Sequence, residues 1–248
     1  MRRRICLAAL FGSVPFAALA MDTADLPRIA ITLVILVISL SFHEAAHAWV
    51  ALKCGDTTGR DLGRITLNPL PHIDPFMTII LPGIMMATSG MIFGGAKPVP
   101  VAFHRLRHPW RDMSLVALAG PLSNILLAVL FVAGWHLFVR TGWYNGAAGS
   151  IGERRFDLLP QVLNTAAEFN VLLAVFNLVP IPPLDGSRVM SYLLPSELRE
   201  PYGRLESFGI LIVFGLIMFV PVVNLWLHRA INVVLVAIDS AITLGGRL

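Results

Sequence analysis

The stretch Ser41-Phe42-His43-Glu44-Ala45-Ala46-His47-Ala48 sits at the end of an apolar run that begins near Ile29 and closes at Lys53. A run of this length spans the roughly 30 Å hydrocarbon layer of a bilayer only as a helix, because lipid offers the backbone no hydrogen-bond partners. On that helix His43 and His47 lie one turn apart on the same face. Two imidazoles so placed can hold a zinc ion, and Glu44, beside the first, can reach a water on the metal. Ala45, Ala46 and Ala48 keep the helix slim around them. A soluble helix carrying this motif would be amphipathic, and this one is not. Ionisable groups inside a membrane span are costly, so by default they mark a functional site. HExxH also arises by chance, so the rest of the chain has to supply a third ligand and a setting.

The composition agrees with a membrane protein. Of 248 residues, 56% are hydrophobic and 14% charged, and the mean hydropathy is +0.74. That leaves room for several spans and no separate soluble domain. The net charge of +4 does not point to nucleic acid, because the basic residues fall in the connections between apolar runs. Lys53, Arg60, Arg64, Lys97, Arg105, Arg107, Arg111, Arg188, Arg199 and Arg204 fall on one side of the expected topology. Arg140, Arg154 and Arg155 fall on the other. This asymmetry puts the first group on the cytoplasmic side of the cell (inner) membrane. Cys6 and Cys54 lie at opposite ends of a span and neither belongs to a CxxC pair, so no disulfide framework and no thiolate metal site are expected.

In chain order, residues 1–20 fit either a signal peptide ending in Ala18-Leu19-Ala20 or a first transmembrane helix. Both place Arg2, Arg3 and Arg4 inside. Residues 28–53 then run inward and bring His43, Glu44 and His47 to the cytoplasmic half of the bilayer. The polar stretch 55–75 is rich in turns, with Arg64-Ile65-Thr66-Leu67 as a possible short strand. Residues 76–95 are apolar but broken at Pro82-Gly83, and both flanks are basic. A re-entrant segment is expected there, with a plain transmembrane helix as the alternative. The prolines of Lys97-Pro98-Val99-Pro100-Val101 allow only an extended or edge-strand course. His104 and His108 are four apart, but Pro109 disfavours helix at His108, so they read as surface residues.

Residues 113–139 form a strong outward span carrying Ala119-Gly120-Pro121-Leu122-Ser123-Asn124. Its small residues permit close helix contact, and Asn124 needs a buried partner. His136 falls near the far interface. Residues 159–179 return inward with Asn164, Glu168, Asn170 and Asn177. Pro180, Pro182 and Pro183 end that helix and present Asp185 at the depth of the HExxH turn. A carboxylate there suits a third zinc ligand, or caps a helix starting at Gly186. Residues 208–227 and 231–244 are apolar, split by Pro221 and by His228-Arg229, and read as two helices or one broken one.

HExxH in one span, AGPLSN in the next strong one and NLVPIPPLDG after a third make the chain similar to the site-2 proteases, a family of intramembrane zinc metalloproteases. The resemblance runs from about residue 29 to 205 and is closest to compact bacterial members, in which Asn68-Pro69-Leu70-Pro71-His72-Ile73-Asp74-Pro75 and the AKPVPV of residues 96–101 also have counterparts. It implies that His43, His47 and Asp185 bind Zn2+ and that Glu44 is the catalytic base. It also implies that Asn124 and Asn177 support substrate or oxyanion, and that residues 97–101 pair with an unwound substrate. The implied substrate is a transmembrane protein cut in or near its span, within the lipid bilayer and without nucleic acid. The chain departs from the family's frequent Asp-Gly-Gly at Ser187, and its loops leave no room for a PDZ domain or a CBS pair. The expected fold is an all-α polytopic membrane protein with about five to six transmembrane helices and a re-entrant or short-strand segment between the first two motif-bearing helices. Residues 21–248 are expected to form a single metalloprotease domain. A metal transporter or a non-catalytic membrane scaffold are the rival readings. The transporter would string ligands along a path, whereas these cluster at one depth.

Overall fold

The computed structural model describes residues 26–81, 95–141 and 158–245. Four long helices carry the fold. They are α1 (Leu26–Lys53), α3 (Pro109–Arg140), α4 (Leu158–Asn177) and α8 (Pro221–Gly245). Between them run the short helices α2 (Thr58–Asp61), α5 (Asp185–Leu193), α6 (Ser196–Arg204) and α7 (Gly209–Phe219). The four long helices are each long and apolar enough to cross a membrane, and no strand forms among the described residues.

Each long helix sorts its residues by face. Along α1 the buried positions Thr32, Leu36, Ser39, Leu40, His43, His47 and Ala51 recur every three or four residues, as one face of a helix does. Along α3, Leu115, Leu122, Leu126, Leu130 and Leu137 form an exposed apolar stripe. In water such a stripe would drive aggregation; in lipid it is the natural outer surface. Helix α3 packs between α1 and α4, and α8 covers the far side of α3 and α4. Small residues close these contacts: Ala128, Ala166, Ala167 and Ala174 are essentially inaccessible. Lipid tails are as apolar as leucine, so close packing and buried hydrogen bonds hold the helices together, not hydrophobic expulsion.

Several expectations meet the structure here. Helix α3 runs unbroken through Pro121. The C-terminal apolar stretch breaks once, between Phe219 and Pro221, and α8 continues through His228-Arg229. His136 Nε2 lies 2.7 Å from Asp239 Oδ1 and ties α3 to α8. The expected short strand at Arg64–Leu67 is instead a series of bends with no partner strand. An Arg64 guanidinium N–H on the Pro71 carbonyl and His72 Nε2 at 3.0 Å from the Thr66 carbonyl tie that loop to itself.

The course of residues 76–95 depends partly on 82–94, which lie outside the described residues. The two flanks of that gap meet. The Gly95 amide donates to the Met77 carbonyl at 3.1 Å, and the Thr78 hydroxyl donates to the Gly95 carbonyl at 2.6 Å. A straight helix over 76–95 would hold its ends about 28 Å apart. Residues 95–102 then cross the C-terminal end of α1 as an extended strap.

Asp56 fixes that strap. It is fully buried, and its carboxylate accepts from the Thr58 amide at 3.0 Å, the Thr58 hydroxyl at 2.5 Å and the Ala102 amide at 2.7 Å. Burial pushes its pKa up, but these hydrogen bonds outweigh burial and hold the carboxyl below the usual carboxylate range. A depressed folded-state pKa means the stabilisation is complete above the unfolded value of about 4, and is lost as pH falls through the folded value. Asp56→Asn should therefore lower Tm at neutral pH, by a loss of about 1–3 kcal/mol. The gap to the unsubstituted protein should close as pH drops below about 4. Thermal unfolding in detergent across that range checks it, and a pH-independent gap would count against this role.

Candidate metal centre and active site

Three polar side chains from two distant parts of the chain converge at one point. His43 Nε2 and His47 Nε2, from successive turns of α1, are 3.0 Å apart. Asp185 Oδ2 lies 3.1 Å from the first and 3.3 Å from the second. Asp185 is the first residue of α5, with Leu184 at the cap position, so its side chain caps nothing and turns to the histidines. Gly186 makes this turn possible, because a Cβ there would lie 2.2 Å from the Leu178 carbonyl oxygen.

The protons on the two imidazoles follow from their outer partners. His47 Nδ1 is 2.6 Å from the Val116 carbonyl, which can only accept, so Nδ1 carries the hydrogen. His43 Nδ1 is 2.6 Å from Asn124 Oδ1. That orientation of Asn124 is anchored one step further back. Asn170 Nδ2 donates to the Ala166 carbonyl at 2.8 Å, another obligate acceptor, and to Ser39 Oγ at 2.9 Å. Asn170 Oδ1 must then face Asn124, and it accepts from Asn124 Nδ2 at 2.9 Å. Asn124 Oδ1 is left for the His43 Nδ1–H. In both neutral imidazoles the Nε2 is therefore a bare lone pair.

Two lone pairs and a carboxylate oxygen at 3.0–3.3 Å repel unless a cation sits among them. Asp185 Oδ2 is buried with no hydrogen-bond donor. Ligand atoms of a tetrahedral zinc with bonds of about 2.0–2.1 Å stand about 3.3 Å apart, so this donor set fits zinc in both chemistry and spacing. The second ring nitrogen of each histidine is fixed by an oxygen, as is usual for histidines that bind metal.

Helix α3 lies directly against the pair. A Cβ on Gly120 would be 2.5 Å from His43 Cε1 and 2.5 Å from His47 Nε2, so only glycine fits. On the open side is a cleft of about 620 Å3 lined by the three donors with Glu44, Val99, Trp110, Asn177 and Arg188. Glu44 Oε2 accepts from the Val99 amide at 2.8 Å. Asn177 reaches the cleft, and its Nδ2 donates to the Leu173 carbonyl at 3.0 Å. Asn124 does not reach it. It is fully buried behind His43, and both ends of its amide are engaged. Asn124, expected near substrate or oxyanion, has its carbonyl oxygen on His43 Nδ1. His104 and His108 stand apart from the cluster, and the His108 amide donates to Asp112 Oδ2 at 2.8 Å just ahead of α3.

Sequence reasoning missed Asn170 and Ser39 as parts of the site. The available signal was Ser39 lying one turn before His43, with Asn170 a polar residue in an otherwise apolar span.

The fold and this centre together define a polytopic membrane protein with a His2Asp group between its helices that could hold a metal ion. The model of peptidase family M50 matches residues 148–220. YwhC of Bacillus subtilis (strain 168), named as a candidate zinc metalloprotease, is 40% identical over 198 residues, covering 79% of this chain and 81% of that protein. Rip2 of Mycolicibacterium smegmatis, similarly named, is 31% identical over 197 residues, covering 78% of this chain and 68% of its own length. Rip2 of Mycobacterium tuberculosis (strain H37Rv) is 30% identical over 194 residues, covering 76% and 66%. No solved structure matches the chain significantly. The chain belongs to peptidase family M50, the site-2 protease family, and is a zinc metalloendopeptidase.

Two substitutions test the packing behind the ligands. Gly120→Ala forces the imidazoles apart and should abolish zinc binding. Asn170→Ala frees the Asn124 amide to turn and should weaken zinc affinity about 10–100-fold. Zinc titration of the purified variants reads both. An Asn170→Ala protein with unaltered affinity would mean that the amide chain does not hold His43.

Proposed function

We propose that this protein hydrolyses a peptide bond in or near a transmembrane segment of a membrane-protein substrate, with Glu44 as general base and His43, His47 and Asp185 as the zinc ligands. The observation that carries the reading is the convergence of His43, His47 and Asp185 on a cleft that also holds the Glu44 carboxylate. Zinc, when bound, supplies Lewis-acid polarisation of a carbonyl and acidifies water toward a pKa of about 7. Glu44 takes the proton of the attacking water and passes it to the leaving amide nitrogen. Asn177, at the cleft wall, donates to the developing oxyanion after leaving the Leu173 carbonyl. Asn124 acts from behind, keeping His43 in the tautomer that presents Nε2.

A transmembrane helix hides its carbonyls in its own hydrogen bonds, so the substrate must unwind before it can react. The extended residues 97–101 flank the cleft and offer such a segment a backbone edge to pair with. Residues 21–248 act as one intramembrane domain of a multi-pass inner-membrane protein. The basic connections, Arg60 to Arg64 and Arg105 to Arg111 among them, orient the cleft toward the cytoplasm, where water is close. Transport of a metal is the less favoured alternative. Among the described residues a single group of three or more metal-binding side chains is present, where a path would need several.

Glu44→Gln should retain zinc and lose cleavage of a reconstituted membrane-span substrate by about 10²–10⁴-fold, the usual worth of a general base. Retained cleavage would remove Glu44 from that role.

A further inference from the structure

The Glu44 carboxylate meets the extended strap at one atom. Its Oε2 accepts from the Val99 amide at 2.8 Å, across 55 positions of sequence. The sequence makes that donor unique in its stretch, because Pro98 and Pro100 have no N–H. Val99 also precedes a proline, which restricts it to extended conformations and fixes the direction in which its amide points.

The strap around it is tied down on both sides. The Lys97 amide donates to the His72 carbonyl at 2.7 Å, and the Ala102 amide donates to Asp56 Oδ2 at 2.7 Å. The Val99 side chain is buried, and its Cγ1 lies 3.4 Å from where a Cβ on Gly59 would stand. The amide is therefore a rigid fixture of the cleft wall, while the glutamate it holds has three rotatable bonds.

We infer that the Val99 main-chain amide is a positioning group for the Glu44 carboxylate. It holds Oε2 and leaves Oε1 as the oxygen that works on the attacking water. The inference rests on Glu44 being the base. Its consequence is that the segment offered to an unwound substrate also sets the aim of the base, so movement of the strap alters proton transfer without touching the metal ligands.

The test uses the full chain in detergent or reconstituted vesicles with a membrane-span substrate. Val99→Pro deletes the amide hydrogen in a segment already confined to extended geometry, whereas Val99→Ala keeps it. The expected result is a kcat about 10–100-fold lower in Val99→Pro than in Val99→Ala, the usual effect of losing an outer hydrogen-bond partner. Zinc content should be equal in the two, and KM should differ by less than about threefold. Equal kcat in both variants overturns the positioning role, and an inactive Glu44→Gln alongside would show that the base assignment itself survives. If Val99→Pro fails to fold or loses zinc, hydrogen exchange decides. The Val99 amide, identified in 15N-valine spectra by its absence from Val99→Ala, should lose protection in Glu44→Ala. Unchanged protection overturns the inference.

Discussion

Two imidazole lone pairs and a carboxylate oxygen, held at 3.0–3.3 Å from one another, form an arrangement that only a cation stabilises. Much of the chain serves to enforce it. The histidines come from one face of α1, and α3 approaches closely enough that Gly120 has no room for a Cβ. Asp185 arrives on the turn after α4, where Gly186 lets the backbone pass close to the Leu178 carbonyl. A chain of amides from Asn124 through Asn170 to Ser39 links α3, α4 and α1 behind His43. It crosses the interior of the bundle with both ends of each asparagine amide hydrogen-bonded, and a satisfied buried polar network adds rigidity. Removing one member leaves its neighbours unpaired in a medium with no water to replace it.

The same bundle separates two solvents. Leucines along the outer face of α3, and Phe219, Val222 and Leu225 around the α7–α8 junction, are exposed as suits contact with lipid. The buried polar side chains Ser39, Ser41, Asn124 and Asn170 lie on inward faces with the histidines and Glu44. At the C-terminal end of α1 the character changes. There the hydrogen bonds of Asp56, Lys97 and Val99 fix irregular backbone over the cleft. Irregular chain at membrane depth is tolerated only where protein or a wet cavity satisfies it, and this strap meets that condition through side-chain carboxylates.

Much of this was legible in the sequence, for reasons of locality. The spacing of His43 and His47 fixes their common face. The proline cluster before Asp185 ends a helix at a definable depth. Long apolar runs announce the spans. What could not be read depends on which faces meet. The family resemblance sets Asn124 near substrate, and the residues alone say only that a polar group in a span needs a partner; neither says that the partner is His43. Asn170 carries no local mark that it orients Asn124. The strand expected at Arg64–Leu67 failed because a strand needs a neighbour. Here Arg64 and His72 satisfy loop carbonyls in its place.

The most direct measurement is zinc-edge X-ray absorption on the purified, untagged protein beside its Asp185→Ala variant. The account requires two imidazole nitrogens and oxygen ligands at about 2.0–2.2 Å, with no sulfur. It also requires zinc to be lost or its oxygen shell altered in the variant. A third imidazole, a sulfur ligand, or identical spectra from the two proteins would contradict the His43–His47–Asp185 centre on which the account is built.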